Sequence, residues 1–95
     1  MKVRRRIQFY GRVQGVGFRW KATQLARRYD LTGWVRNNGD GSVTMEVQGE
    51  HMAIFVMLSQ LKNDPYIEVT GQRTEEIPVA EKERDFRPIS SWGEF

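Results

Sequence analysis

Residues 10–19 read Y-G-R-V-Q-G-V-G-F-R, and this stretch decides how the rest of the chain is interpreted. Three glycines close a strand-like run, namely Gly11, Gly15 and Gly17. Arg19 follows at the point where the apolar spacing changes to that of a helix. Glycine lets a backbone curl tightly, and N–H groups that converge at a helix start bind anions. The planar guanidinium of arginine can donate to two phosphate or carboxylate oxygens. The stretch therefore predicts a strand, an oxyanion loop at residues 14–17 and a helix.

Upstream of the loop, residues 3–13 alternate with a period of two. The apolar members of one parity are Val3, Ile7, Phe9 and Val13, whereas the other parity is mostly arginine. This alternation is typical of a half-buried strand. The basic run at residues 4–6 is expected to consist of solvated charges at the edge of a sheet.

Downstream of the loop, the sequence predicts a helix, a hairpin and a second helix. The helix begins at Phe18 and shows one apolar stripe, formed by Phe18, Ala22, Leu25, Ala26 and Tyr29. Strands are predicted over 33–37 and 43–47, separated by the N-G-D-G turn of residues 38–41. A second helix is predicted over 50–62, because Asp64-Pro65 stops the apolar pattern there.

The last third of the chain predicts one strand over about 66–73 and a short one over 86–89. Pro88 restricts the short strand to an edge or a terminus of the sheet. The order β-α-β-β-α-β predicts an α+β, ferredoxin-like sandwich, with an antiparallel sheet and two helices on one face. Residues 1–90 are predicted to form a single domain, and residues 91–95 a loose C-terminal tail.

The amino-acid composition excludes several classes of functional site. The 95 residues carry a net charge of +3, with no cysteine and one histidine. Disulfides, thiolate chemistry and zinc–thiolate sites are therefore excluded, and a histidine-based triad or metal site is not expected. There is no secretory signal pattern and no apolar run of the roughly 20 residues that span a bilayer. A cytoplasmic protein without a membrane partner is predicted. Basic residues dominate positions 2–36, which favours an anionic partner there.

Two blocks of this sequence resemble the signature sequences of the acylphosphatases. The first is G-R-V-Q-G-V-G-F-R at residues 11–19, and the second is G-W-V-R-N-x-x-D-G-x-V at residues 33–43. The resemblance implies a ferredoxin-like fold and a small free-standing enzyme. It also implies hydrolysis of the carboxyl–phosphate bond of acyl phosphates to carboxylate and inorganic phosphate, without a metal or a cofactor.

The resemblance also implies which residues act. Arg19 and Asn37 correspond to the two catalytic residues of the family. The phosphate is expected to be held by Arg19 and by backbone amides of the loop, namely Gln14, Gly15, Val16, Gly17 and Phe18. The expected partners are a small acyl phosphate as substrate and inorganic phosphate or sulfate as a site ligand, with the protein a monomer.

Two other functions stay open at this point. One is a phosphate- or anion-binding domain without catalysis, since some larger carbamoyl-transfer and hydrogenase-maturation proteins begin with a domain of this type. The other is a single-stranded RNA-binding module, since a ferredoxin-like sheet can present basic and aromatic side chains to RNA. Its candidate residues are Phe9, Tyr10, Arg4, Arg6 and Arg12. The chain lacks the aromatic-rich motif of such modules, so a nucleic-acid partner is not expected.

Overall fold

Seven elements follow one another in the computed structural model, which describes residues 1–90. They are β1 (Lys2–Arg12), α1 (Phe18–Arg28), β2 (Thr32–Asn37), β3 (Val43–Glu50), α2 (His51–Lys62), β4 (Glu68–Ile77) and β5 (Phe86–Ile89). The predicted order is confirmed, and β4 is longer than expected because it continues to Ile77. The tail predicted for residues 91–95 lies outside the described residues, so the division into one domain and a tail stays a prediction.

The five strands form one sheet in the order β4-β1-β3-β2-β5. The first four strands in this order are antiparallel to their neighbours, as predicted, but β5 runs parallel to β2. The expectation of a purely antiparallel sheet is therefore wrong at this edge. The reason is that residues 78–85 carry the chain from one edge of the sheet to the other before β5 begins. Pro88 lies on this edge strand, as the sequence predicts.

The core lies between the sheet and the two helices. Odd-numbered residues of β1 and β3 face the helices, and Ile7, Phe9, Met45 and Val47 are fully buried there. The ring of Phe18, at the first position of α1, packs on the ring of Phe9 with centroids 5.0 Å apart. This contact fixes the start of α1 against β1 directly after the glycine-containing connection. No helix of residues 1–90 has the length and apolarity needed to cross a bilayer.

Arg4 is buried, contrary to the expectation that residues 4–6 are solvated edge charges. Its side chain is 5% exposed and bonds to Glu46 at 2.9 Å and to Glu83 at 2.7 Å. A further N–H of the guanidinium donates to the Gln48 side chain. Burial alone would lower the pKa of Arg4, but its hydrogen bonds with Glu83 and Glu46 raise that pKa above the ordinary value. The prediction is wrong because β1 is an inner strand and the segment of residues 78–85 bonds to the sheet there, with Glu83 bonded to Arg4 and Ala80 to Gln48.

Candidate active site

The ends of β1 and β2 meet at one end of the sheet. Both strands pair with β3, and Val43 is the partner of Phe9 on one side and of Asn37 on the other. Because β1 and β2 run in the same direction, the chain that leaves β1 emerges beside the last residue of β2. Residues 13–17, called the glycine loop from here on, therefore lie at the same end of the sheet as Asn37.

The backbone of the glycine loop contains two glycines in the left-handed conformation. Gly15 has a φ angle of 74° and Gly17 one of 81°, a region that glycine occupies at no steric cost. Gly17 is the N-cap of α1, with no side-chain cap and no acidic residue in the first turn. Within residues 1–90, the backbone N–H groups of residues 15–20 donate to no acceptor. A cluster of free N–H groups at a helix N-terminus favours an anion.

Arg19 extends from the first turn of α1 towards the same end of the sheet. One of its terminal nitrogens, Nη1, donates to the carbonyl oxygen of Ile89 at 3.1 Å. Ile89 is aligned with Arg36, the residue before Asn37 on β2. A guanidinium has five N–H donors. Apart from the bond to Ile89, the Arg19 guanidinium has no acceptor and no carboxylate partner within residues 1–90. Arg19 therefore retains donors and an unneutralised charge beside the glycine loop.

Asn37 precedes a turn whose shape is fixed by its own side chains. Asn38 donates from Nδ2 to the hydroxyls of Ser42 and Thr44, at 3.0 and 2.7 Å. Asp40 accepts from the hydroxyl and the backbone N–H of Ser42, and these bonds lower the pKa of Asp40. The side-chain amide of Asn37 has no hydrogen-bond partner within residues 1–90. It is therefore available to bind a water molecule or a substrate oxygen.

The chain matches known proteins over most of its length. The family model described as Acylphosphatase matches residues 5–88. This chain belongs to the acylphosphatase family. The acylphosphatase of Rhizobium etli is 43% identical over 83 residues, which cover 86% of this chain and 88% of that protein.

Solved structures of acylphosphatase-family proteins have the same fold as this chain. The crystal structure of the acylphosphatase from Bacillus subtilis superposes with a TM-score of 0.84 at 34% identity, covering 92% of this chain and 98% of that one. Full-length HypF in its phosphate- and nucleotide-bound form also superposes with a TM-score of 0.84, at 30% identity. That match covers 100% of this chain and 13% of HypF. The acylphosphatase fold that the sequence predicted is thus confirmed.

One contact in the candidate site of this acylphosphatase-family chain is not predicted by the sequence. Gln14 was expected to contribute only its backbone amide, yet its side chain bonds to the turn after Asn37. The residue type gives no hint of this partner, because residues 14 and 38 come together only through the pairing of β1, β3 and β2. The single local signal is a long amide side chain immediately before the first glycine of the loop.

Two of the residues considered for RNA binding are not accessible in this member of the acylphosphatase family. Phe9 is fully buried and faces the helices, whereas Arg4 points to the other face and is bonded to Glu46 and Glu83. Neighbouring residues of a strand point to opposite faces, so Phe9 is separated from Tyr10 and Arg6, which share the parity of Arg4. Arg6 is itself paired with Glu46 at 2.8 Å, which reduces the positive charge left on that face for a nucleic acid. The RNA-binding alternative is therefore not favoured.

Proposed function

We propose that this chain hydrolyses acyl phosphates to a carboxylate and inorganic phosphate, as an enzyme of the acylphosphatase family. The observation that carries the proposal is the set of unpaired donors at one end of the sheet. The free N–H groups of the glycine loop and the guanidinium of Arg19 lie at the same sheet end as the unbonded amide of Asn37. These groups can bind the three phosphate oxygens and one water molecule.

The reaction follows from these groups. The amides of residues 14–18 and the Arg19 guanidinium bind the phosphoryl oxygens and stabilise the charge that spreads over them in the transition state. The oxygen of a water molecule held by Asn37 attacks phosphorus as the bond from phosphorus to the carboxyl oxygen breaks. The carboxylate leaves without a proton because it is a weak base. The proton of the water passes to a phosphate oxygen of the substrate, so Asn37 acts by orientation alone.

The proposal is tested with benzoyl phosphate and the purified chain in EDTA, with ultraviolet absorbance as the readout. Turnover that continues in EDTA supports the proposed reaction and its independence of metal ions. A folded protein that binds inorganic phosphate but does not turn over benzoyl phosphate would instead indicate the non-catalytic anion-binding domain.

Replacing Asn37 with alanine should separate catalysis from binding. We expect kcat to fall by about 100-fold or more, because a mispositioned nucleophile costs about that much. The inhibition constant of inorganic phosphate should stay close to that of the unmodified protein, since the loop and Arg19 are untouched. Asn63→Ala at the C-cap of α2 is the matched control, and it should leave both constants unchanged. Equal loss of turnover and phosphate binding would contradict the role assigned to Asn37.

Inorganic phosphate or sulfate should stabilise the folded protein by binding in the glycine loop. At ten times the dissociation constant the gain is about 1.4 kcal/mol, which corresponds to an increase of roughly 5–10 °C in Tm for a chain of this size. Differential scanning fluorimetry in phosphate, against sodium chloride of equal ionic strength, measures the shift. The shift should disappear in Arg19→Ala. A Tm that responds equally to both salts would argue against a formed anion site.

A monomer is also part of the proposal, and light scattering should give the mass of one chain, 11.2 kDa. A scattering mass of twice that value would contradict it.

The cytoplasmic location stays a prediction from the sequence.

A further inference from the structure

We infer that the side chain of Gln14 is a positioning residue that sets the place of Asn37 relative to the glycine loop. The inference rests on the proposed function, since it concerns the alignment of the attacking water with the bound phosphate. It assigns to Gln14 a side-chain role in addition to the backbone amide that was expected to contact phosphate.

The geometry is a double hydrogen bond between the loop and the turn. Nε2 of Gln14 donates to the carbonyl oxygen of Asn38 at 2.7 Å and to that of Ser42 at 2.9 Å. An amide nitrogen has two N–H donors, so both are used, one on each side of the turn. Both partner atoms are carbonyl oxygens, and the nitrogen rather than the oxygen of Gln14 must face them.

The two Gln14 bonds connect the glycine loop directly to the turn after Asn37. Within residues 1–90, no other hydrogen bond joins the glycine loop to the segment from Asn37 to Val43. Asn37 is adjacent to one of the two carbonyls that Gln14 holds. A change in the Gln14 bonds therefore alters the separation of Asn37 from the phosphate-binding amides more directly than any other described contact.

The turn does not need Gln14 for its own shape. The backbone N–H of Asn38 donates to the Ser42 carbonyl at 2.8 Å, and the N–H of Gly41 donates to the Asn38 carbonyl at 3.2 Å. Each carbonyl that Gln14 contacts thus keeps a second donor when Gln14 is replaced. The Asn38, Asp40 and Ser42 side chains hold the turn as well. Removal of the Gln14 amide should accordingly leave a folded chain with a less accurately placed Asn37.

The variant that tests this is Gln14→Met, which keeps the length of the side chain and removes both donors. We expect kcat for benzoyl phosphate to fall by about 10- to 100-fold, because small displacements of reacting groups have effects of this size. The inhibition constant of inorganic phosphate should change less than about 3-fold, because the backbone amides and Arg19 remain. Gln8→Met is the matched control, since Gln8 on β1 bonds the Ser42 hydroxyl of the same turn but does not join it to the loop. It should retain the kcat of the unmodified protein.

A double-mutant cycle with Asn37→Ala decides whether Gln14 acts through Asn37. If it does, Gln14→Met should change kcat less than about 2-fold once Asn37 is already alanine, because the two effects then share one cause. An equal loss in both backgrounds, or no loss in the single variant, would overturn the inference while leaving the proposed function intact. An inactive unmodified protein would overturn the proposed function and, with it, this inference.

Discussion

Arg19→Ala should lower kcat/KM for benzoyl phosphate by at least about 10³-fold, the lower end of the effect of an arginine that stabilises a transferring phosphoryl group. The guanidinium keeps most of its donors and its full charge beside the glycine loop, with one N–H bonded to the Ile89 carbonyl. That bond holds the group in place without neutralising it, because a carbonyl carries no net charge. Alanine removes both the charge and the planar set of donors, so phosphate affinity should fall as well.

Two variants separate the local effect of Arg19 from a general change in charge. Arg28→Ala removes the same charge from the exposed last turn of α1, and it should leave kcat/KM within about 2-fold, because surface charges are largely screened. Arg19→Lys keeps the charge but loses the rigid fork that reaches two oxygens, so an intermediate loss is expected. Thermal unfolding of each variant shows whether the fold is retained. A turnover of Arg19→Ala near that of the unmodified protein would contradict the proposed site.

Arg4→Met should destabilise the fold by about 3 kcal/mol, the lower end of the range for breaking a buried ion pair. Methionine fills similar space but leaves Glu83 and the Gln48 side chain without the donors that Arg4 supplies. Glu46 keeps its bond with Arg6 at 2.8 Å, which limits the loss. Residues 78–85 should lose their attachment to β1 first. The midpoint of urea unfolding, with an unchanged slope, measures the effect.

The adjacent arginine is the matched control for Arg4. Arg5 lies one residue further along β1, and its side chain hydrogen-bonds to the exposed His51 ring at 3.0 Å. Arg5→Met should change the free energy of unfolding by less than about 0.5 kcal/mol, because it removes one exposed hydrogen bond and no buried ion pair. Equal midpoints for the Arg4 and Arg5 variants would show that the buried ion pairs contribute little to stability.

The elements that the sequence predicted well are those defined by local spacing. Phe18, Ala22 and Leu25 recur at helical intervals and are buried in α1, and the N-G-D-G turn joins β2 to β3 as expected. In these segments a single buried face determines the pattern, so a few neighbouring residues are enough to predict it.

The features that the sequence did not predict depend on contacts between distant residues. Arg4 looked like a surface charge because its partners, Glu46 and Glu83, come from other segments of the chain. The parallel direction of β5 depends on the path of residues 78–85 across the sheet. Within the candidate site, Arg19 is predicted from its place after the glycines as well as from the family resemblance, whereas Asn37 is predicted from the resemblance alone. The Gln14 contacts required the register of three strands.

The inner position of β1 has a consequence for how the chain acquires its fold. β1 precedes both of its partner strands in the chain, with Glu50 opposite Lys2 in β3 and Ile77 opposite Arg4 in β4. Pairings this distant in sequence give a high contact order, which slows folding. On the ribosome, one hydrogen-bonding edge of β1 has no partner until β4, which ends at Ile77, has been made. The arginines at residues 4–6 place charge along that edge and oppose aggregation of the nascent chain during this interval.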